Sequence, residues 1–369
     1  MPRVVIIGAG PAGTAAAITL ARLGVCEARE ISLIEARAFP RVKVCGECVS
    51  PAVTGLVESL VGARAMVGTG ARECAQFVLE LGERDRPWTM PTRGWAVSRA
   101  AFDTLLRDTA AKSGVNIMQP ARVRRVDYAP GGVNVQLSDG QRIDAAIVVH
   151  ADGLGRHDRS GPTPSRPGVV GMKCHYRPEK PVDGIRIRAA RGAYIGTVSV
   201  ERGMATCAMV TASSLIAEHH GDADGMLRAI WPGWRPELRE GAWLSCGVAD
   251  SAYIRPGHPR SFRLGNAAAA VEPVGGEGIG LALWSGTRLA EILHECGFAP
   301  DGLTRASEIL EHDFRRRLWS RRCSCRAAAM ALTRPWLVRS VWPILALPRL
   351  TIEPWYALTG KPLSRASPK

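Results

Sequence analysis

The chain has 369 residues, enough to bury a large core in two domains or in one domain with an inserted lobe. Its 46% hydrophobic and 22% charged content is typical of a globular protein, and its apolar runs are too short for a transmembrane span or a signal peptide, which favours a cytoplasmic protein. The formal charge of +14 suggests a nucleic-acid partner, but the basic residues are dispersed along the chain, which argues against one.

The first 35 residues read as a strand, a glycine-rich turn, a helix and a second strand that ends at an acidic residue. The apolar run VVII precedes glycines at G-x-G-x-x-G spacing, which are Gly8, Gly10 and Gly13. This spacing allows a tight turn, the approach of a pyrophosphate to the backbone, and close packing of helix on strand. Glu35 lies 22 residues after Gly13, where a carboxylate can bind ribose hydroxyls. The pattern predicts a dinucleotide site with its phosphates at the helix N-terminus.

Helical and strand-like patterns then alternate. A loop rich in Gly, Pro and Cys leads to a helix near Pro51, followed by a strand over residues 75–81 and turns over residues 82–91. Ser98 is a good N-cap for the next helix, and short strands follow it up to a buried strand at residues 145–150. This order predicts that the nucleotide-binding sheet resumes after the first helices.

From about residue 162 to residue 260 apolar and polar residues alternate, as is typical of an antiparallel sheet, with one helix around residues 223–231. We interpret this segment as a separate lobe. A strand at residues 262–264 then leads to a Gly-rich loop over residues 273–278 and a long helix. The remaining residues read as helices broken by prolines.

Ten cysteines are too few and too irregularly spaced for a disulfide scaffold, so we expect them to be reduced. Two close pairs, Cys45/Cys48 and Cys323/Cys325, have neither a second C-x-x-C nor a histidine pair at zinc-finger spacing. The sequence therefore predicts no metal site. The basic run from Arg315 to Arg326 is interpreted as a solvated helical face, with contact to a membrane surface or an acidic carrier protein as the alternative.

Several separated blocks carry a resemblance to a known superfamily. The fingerprint, FPRVKVCGE, SRAAFDTLL, the ADG around Asp152 and GNAAAAVEPVGGEGIGLAL together resemble the FAD-dependent aromatic hydroxylases, flavin halogenases and geranylgeranyl reductases. The resemblance spans about 300 residues and implies FAD as the cofactor. It implies an α/β fold with an α+β lobe inserted: a Rossmann-like FAD-binding domain, an antiparallel-sheet substrate domain and a helical C-terminal region. The expected boundaries are 1–75, 94–161 and 261–300 for the FAD-binding domain, 76–93 and 162–260 for the substrate domain, and 301–369 for the helical region.

The resemblance also implies which residues hold the cofactor. Glu35 and the first turn would bind the adenylate end, Arg99 would neutralise the pyrophosphate, and the backbone of Val123 would hold adenine. Asn266, where the superfamily usually has Asp, would bond the ribityl chain. The loop over residues 273–278 would lie against the isoalloxazine, where the dipole of the following helix stabilises the anion of the reduced ring. The implied cofactor-binding set is Gly8, Gly10, Ala12, Gly13, Glu35, Ala36, Arg41, Gly46, Arg99, Val123, Asp152, Asn266, Pro273, Gly276, Gly278 and Ile279.

Cys45 and Gly46 match a C-G-E/D element that lies near the flavin in the reductase branch, which implies Cys45 as a candidate catalytic residue. The alternative is an inert buried thiol. Arg41 and Lys43, in the same segment, would bind phosphate or the ring edge, or else be solvated loop charges. Trp95, Tyr194 and Met209 are candidate substrate-binding residues, with ordinary core packing as the alternative.

The branch is less clear than the superfamily. Halogenases carry W-x-W-x-I-P in the sheet region and the lipid reductases carry an aromatic-x-x-W-x-F-P element, whereas GAYIGTVSVERGMAT keeps Tyr194 but lacks the Trp and the Pro. This departure disfavours halogenation and prenyl reduction. The leading hypothesis is an FAD-dependent monooxygenase that oxidises an apolar, aromatic or polyketide-like molecule through a flavin C4a-hydroperoxide. The alternative is a double-bond reductase or dehydrogenase of the geranylgeranyl reductase type. A halogenase and a flavin-binding partner protein without turnover are further, less favoured hypotheses.

The electron donor is left open by the sequence. The chain has no second glycine fingerprint for NAD(P)H. We therefore expect NAD(P)H to dock transiently, or a separate flavin reductase to supply the electrons.

Overall fold

The computed structural model of the protein describes residues 3–129, 131–154, 165–347 and 350–361. The expected domain boundary at residues 161 and 162 and the end of the C-terminal region, residues 362–369, lie outside the described residues. The described strands are β1 Val4–Ile7, β2 Ile31–Ile34, β3 Cys48–Val49, β4 Arg72–Leu81, β5 Arg84–Ala96, β6 Asn116–Met118, β7 Val123–Ala129, β8 Gly132–Leu137, β9 Arg142–Ala145, β10 Ile147–His150, β11 Ser165–Tyr176, β12 Ile185–Ala190, β13 Ala193–Ser199, β14 Ala205–Ala212, β15 Arg239–Ala249 and β16 Ser261–Arg263. The α-helices are α1 Pro11–Arg22, α2 Thr54–Val61, α3 Ala63–Gly68, α4 Arg99–Lys112, α5 Ser213–Glu218, α6 Ala223–Ile230, α7 Gly278–Cys296, α8 Pro300–Leu332, α9 Pro335–Leu345 and α10 Glu353–Thr359.

A parallel five-stranded sheet, in the order β16-β10-β1-β2-β6, forms the centre of the nucleotide-binding part. All four residues of β1 are buried, as expected for a parallel sheet that is covered on both faces. Val4 and Ile6 pack in one cluster with residues of α1, α4 and α7, whereas Val5 and Ile7 pack with the small sheet β7-β8-β9. The period of two along β1 therefore places helices on one face and a sheet on the other.

The second large sheet has eight strands in the order β15-β11-β14-β13-β12-β4-β5-β3. Its pairs are antiparallel except for β12 with β4. The turns expected over residues 82–91 are wrong beyond the tight turn at Gly82, because β5 continues through this segment. Pro87 lies in the regular ladder opposite Val78, whereas Pro91 lies in a bulge, because the pairing with β4 jumps from Gln76–Thr89 to Cys74–Gly94.

The C-terminal region is helical, and α8 extends over 33 residues. Buried residues of α8 and α9, such as Leu332 and Trp342, pack with Tyr194 on one face of the eight-stranded sheet. The opposite face packs with residues of α6 and with Trp234. Among the described residues, none of the helices is long and apolar enough to span a bilayer.

Candidate functional site

The turn between β1 and α1 has the close contacts that its glycines predict. Gly8 has φ +101°, and a Cβ there would lie 2.6 Å from the carbonyl oxygen of Ala151 and 2.9 Å from the Cα of Asp152. A Cβ at Gly13 would overlap the carbonyl oxygen of Gly8. Gly10 is the N-cap of α1, so unpaired N–H groups of the first helical turn point out of the sheet beside it. The turn has the geometry of an anion-binding helix N-terminus.

Glu35, at the end of β2, is held against this turn. One carboxylate oxygen accepts a hydrogen bond from Ala9 N at 3.1 Å and lies 3.3 Å from Arg41 Nη2. The other accepts from Arg37 N at 3.1 Å. The carboxylate is buried and Ala36 beside it is half-buried. Glu35 therefore fixes the turn as well as offering lone pairs to a ribose.

Two arginines from separate segments share one buried carboxylate next to Gly10. Arg99 binds Asp103 through Nε and Nη2, both at 2.8 Å, and Arg41 Nη1 lies 3.1 Å from the same carboxylate. A Cβ at Gly10 would lie 3.7 Å from Arg41 Nη2 and 4.0 Å from Arg99 Nη2. Arg41 Nε is buried without a hydrogen-bond partner in the described part of the chain. This pair of guanidinium groups against a bare backbone suits the pyrophosphate of FAD.

Val123 begins β7 beside the carboxyl end of β2, because Ala121 N donates to the carbonyl oxygen of Glu35 at 2.7 Å. Its side chain packs with other buried residues of the small sheet β7-β8-β9. The structure thus places the residue expected to hold adenine next to the residue expected to hold the ribose. Their contacts with the cofactor remain a prediction.

A second turn meets the first one across the N-termini of α1 and α7. A Cβ at Gly265 would lie 3.2 Å from Ala12 Cβ, and Gly265 N donates to Ser285 Oγ at 2.9 Å. Gly286 lies against the carbonyl oxygen of Ala12, where a side chain would overlap it. Asn266 is exposed at this junction. Residues about 250 positions apart in the sequence therefore form one continuous surface.

The loop that precedes α7 carries the residues expected beside the flavin ring. Pro273 begins a short 3-10 turn, and Gly276 has φ +66°. A Cβ at Gly276 would lie 3.9 Å from the sulfur of Cys48. Gly278 begins α7, and Ile279 packs into the core. The loop is therefore anchored by α7 and by the segment that contains the C-G-E element.

The C-terminal region fixes the same loop from another side. A Cβ at Gly275 would lie 2.6 Å from the sulfur of Cys325, on α8. Lys361 is buried, and its Nζ lies 2.6 Å from a carboxylate oxygen of Glu277 and 3.2 Å from the carbonyl oxygen of Gly275. The hydroxyl of Ser50 donates to the same Glu277 oxygen at 3.3 Å. Lys361, at the end of the described chain, thus holds the loop that is expected to lie beside the flavin ring.

Cys45 lies half-buried between the two ends of the site. Its sulfur accepts a hydrogen bond from Glu47 N at 3.3 Å and interacts with the Arg99 guanidinium. Gly46 is exposed, with open space where a Cβ would be, and Lys43 is exposed in the same loop. Cys45 therefore combines accessibility with two adjacent donors.

The remaining cysteines form no metal centre or disulfide. All ten are free, and within the described ranges no cluster of three or more His, Cys, Asp or Glu could hold a metal ion. Cys323 is exposed and Cys325 is buried, so the second close pair is split between surface and core.

Sequence reasoning missed the most strongly bound carboxylate in this region. Glu47 is fully buried with φ +56°, and its carboxylate accepts hydrogen bonds from Lys173, from His175 Nε2 at 2.7 Å, from Thr206 and from Arg99 N at 2.7 Å. Burial by itself would raise the pKa of Glu47, but the His175 hydrogen bond and the charge of Lys173 hold this pKa at about 2. Glu47 therefore joins the C-G-E loop to β11, β14 and α4.

A signal for this cluster is present in the sequence of β11. Lys173 and His175 alternate with Met172, Cys174 and Tyr176, so two basic residues point to one face of an otherwise apolar strand. Such residues in the middle of a sheet require a buried acidic partner. The Glu of C-G-E is one candidate for it, but the pairing distance of 126 residues cannot be read from the pattern.

The three candidate substrate-binding residues lie in three separate packing clusters. Trp95 packs in the main core, Tyr194 in the cluster against α8 and α9, and Met209 in the cluster on the opposite face of the sheet. Met209 pairs with Ile195, so the neighbouring Tyr194 must point to the other face. The Tyr194 hydroxyl instead donates to buried Glu272 at 2.9 Å. The register therefore puts Tyr194 and Met209 on opposite faces of the sheet, and contact of either residue with a substrate stays a prediction.

Comparisons with known proteins support the interpretation of this site as an FAD site. The model of the FAD dependent oxidoreductase family matches residues 3–158. The chain is similar to a menaquinone reductase of Mycolicibacterium smegmatis, with 29% identity over 92% of this chain and 87% of the relative. It is also similar to a digeranylgeranylglycerophospholipid reductase of Methanopyrus kandleri, with 27% identity over 85% of this chain and 86% of the relative. A probable FAD-dependent monooxygenase from Pseudomonas aeruginosa has a similar structure, with a TM-score of 0.75 and 17% identity over 93% of this chain and 99% of that chain.

Proposed function

We propose that this chain, an FAD-dependent oxidoreductase, reduces carbon–carbon double bonds in a long polyprenyl substrate such as a prenylated quinone or a geranylgeranyl lipid. The observation that carries this proposal is the similarity, over at least 85% of the chain, to two reductases whose named substrates both contain isoprenoid chains. It favours the reductase alternative over the monooxygenase hypothesis that the sequence patterns favoured. The α/β fold, the superfamily and FAD as cofactor, all expected from the sequence, are confirmed.

The residues present fit FAD. Gly10 with Arg41 and Arg99 would hold the pyrophosphate, Glu35 the ribose, and Asn266 the ribityl chain. The unpaired Arg41 Nε and the bare backbone at Gly10 are features that a bound phosphate would satisfy. When bound, FAD supplies the hydride that one carbon of the double bond accepts.

The second carbon of the double bond must receive a proton, and Cys45 Sγ is the atom we assign to hold it. Its thiol is partly accessible, unlike buried Cys325, and lies in the loop that Glu47 fixes to the sheet. Proton transfer to carbon leaves a thiolate, which the adjacent Arg99 guanidinium and Glu47 N–H stabilise until solvent returns the proton. The balance is one hydride and one proton added across one double bond.

The test is anaerobic turnover of a polyprenyl quinone with dithionite as reductant, followed by mass spectrometry. We expect products heavier by two hydrogens per reduced bond. In D₂O each reduced bond should carry two deuterium atoms, because dithionite supplies only electrons and both added hydrogens come from solvent. Cys45→Ala should retain FAD but lose most turnover, roughly 100-fold, as expected for removal of a general acid. Cys323→Ala is the matched control, because it removes an exposed thiol from α8. Undiminished turnover by Cys45→Ala would remove the thiol from the mechanism.

Monooxygenation is the second candidate, because the fold is shared with a probable FAD-dependent monooxygenase. It requires oxygen, so anaerobic turnover excludes it as the main reaction. Products that form only in air and carry label from ¹⁸O₂ would replace the reductase proposal.

We also propose that electrons arrive from transiently docked NAD(P)H or from a separate flavin reductase. Stopped-flow mixing with NADPH or NADH should bleach the flavin in the first case. No bleaching until a flavin reductase is added would support the second.

A further inference from the structure

The outer surface of α8, α9 and α10 concentrates exposed apolar side chains. Of the ten large hydrophobic residues that are exposed in the part of the chain the structure describes, seven lie between residues 319 and 358. We call these seven the C-terminal apolar surface: Trp319, Met330, Trp336, Val341, Ile344, Leu347 and Leu358. Such a concentration marks a surface that contacts another apolar phase.

The pattern along α9 shows that these residues are not displaced core. Val338 and Trp342 are buried and pack toward the eight-stranded sheet. Trp336 and Ile344, which are 61% and 58% exposed, lie eight residues apart and therefore on one side of the helix, away from this packed side. Helix α9 thus has two apolar sides, of which the protein covers one.

The charge of this segment identifies the class of partner. Between Phe314 and Ile352 the sequence has nine arginines and neither Asp nor Glu. Some are paired, as Arg326 is with Asp250. Arg334 and Arg339 are exposed and have no acidic partner among the residues that the structure describes. An apolar surface carrying unpaired arginines complements an anionic lipid surface, in which Trp and Arg occupy the headgroup level.

We propose that the C-terminal apolar surface docks the enzyme on the face of a membrane that contains anionic lipids. Trp336 and Ile344 insert at the interface while Arg334 and Arg339 bind phosphate groups. The proposed contact is peripheral, with side chains that reach only the boundary between headgroups and acyl chains. This docking does not depend on which bond the enzyme reduces, so it can fail or hold independently of the proposed reaction.

The test is co-sedimentation of the FAD-bound protein with phosphatidylcholine vesicles, with and without phosphatidylglycerol. We expect binding to the anionic vesicles that weakens as salt is raised. Trp336→Ser with Ile344→Ser should weaken binding roughly 10-fold or more, and Arg334→Gln or Arg339→Gln about 5-fold each. Val67→Ser is the matched control, because it removes a residue that is 61% exposed on α3 and should leave binding unchanged.

Retained flavin absorbance and unchanged turnover on a detergent-solubilised substrate would show that the variants are folded. Equal binding to both vesicle types, or none to either, would overturn the proposal. It would also be overturned if light scattering showed a dimer that Trp336→Ser dissociates while vesicles do not bind. Binding of an acidic carrier protein to this surface, without binding of vesicles, would overturn the proposal as well.

Discussion

The part of the site expected to hold the adenylate, the adenylate end, and the part expected to hold the flavin ring, the ring end, are built in different ways. At the adenylate end, the turn at Gly8 to Gly13, Glu35, Arg41 and Arg99 all come from the first 99 residues. The turn and Glu35 follow the paired strands β1 and β2, Arg41 lies in the next loop, and Arg99 begins α4. At the ring end, Glu47 binds strands β11 and β14, and Glu277 binds Lys361 from the end of the described chain.

The difference lies in what fixes each carboxylate. Glu35 is held by backbone N–H groups of its own sheet edge, so local geometry suffices. Glu47 and Glu277 are held by side chains that arrive only when the sheet domain and the C-terminal region have packed. The ring end is therefore the part whose geometry depends on the whole fold, and the following variants test that dependence.

Glu47→Gln should have the largest effect. It leaves Lys173 buried without a counter-charge, which costs about 3–5 kcal/mol in the free energy of unfolding. Chemical denaturation measures it, with Glu58→Gln as control, because Glu58 is an exposed carboxylate on α2 and its loss should change stability by less than about 0.5 kcal/mol. Equal stability of the two variants would mean that Glu47 does not hold the domains together.

The pH dependence sharpens this prediction. The pKa of Glu47 is lowered from 4.5 to about 2 in the folded protein, so its stabilisation is fully present above about pH 4.5 and is lost as the pH falls toward 2. The stability gap between wild type and Glu47→Gln should therefore narrow over that interval. A gap that stays constant down to pH 2 would contradict a depressed pKa.

Lys361→Met tests the second buried ion pair of the ring end, between Lys361 and Glu277. It removes the buried ammonium from Glu277 but leaves Ser50 and Arg321 nearby, so we expect a smaller loss of about 2–3 kcal/mol. Because Lys361 also binds the carbonyl of Gly275, FAD should dissociate faster, as measured by recovery of free-flavin fluorescence. The double variant Lys361→Met with Glu277→Gln removes both charges and should recover part of the stability. No recovery would point to lost packing instead of lost charge pairing.

Arg41→Gln tests the adenylate end. Loss of one charged contact to the pyrophosphate should weaken FAD binding by about 2 kcal/mol, which is roughly 30-fold in Kd. Arg37→Gln is the control, because Arg37 is exposed in the same loop and does not lie against Gly10. If Arg41→Gln lowers the Tm of the FAD-free protein without changing the Kd of FAD, its role is limited to pairing with Asp103.

The first turn and Glu35 could be predicted from the sequence because they belong to one local pattern. Gly8 and Gly13 are set by the turn itself, and Glu35 by the length of one strand-helix-strand unit. Superfamily resemblance extended this to Arg99, which the structure places beside Gly10.

The ring end could not be predicted because its partners are far apart in the sequence. Nothing local links Glu47 to Lys173 or Glu277 to Lys361. The strand at residues 84–96 was hidden by its prolines, of which Pro91 lies in a bulge and Pro87 pairs opposite Val78. The strand register of Tyr194 and Met209 could not be read from the sequence either, and a shift of one residue along a strand reverses the face of the sheet on which a side chain lies.

Tyr194→Phe should have the smallest effect and separates a core role from a substrate role. It leaves an oxygen of buried Glu272 without its donor, which costs about 1–2 kcal/mol. The pKa of Glu272 is already raised by burial and is lowered by the Tyr194 hydrogen bond, so losing that bond should raise it further. Met209→Leu conserves volume on the opposite sheet face and should cost less than about 1.5 kcal/mol. If Tyr194 and Met209 instead line one substrate cavity, both variants should change KM for the same polyprenyl substrate. The sheet register predicts that they do not act together, because any cavity reached by one side chain is separated from the other by the backbone of β13 and β14.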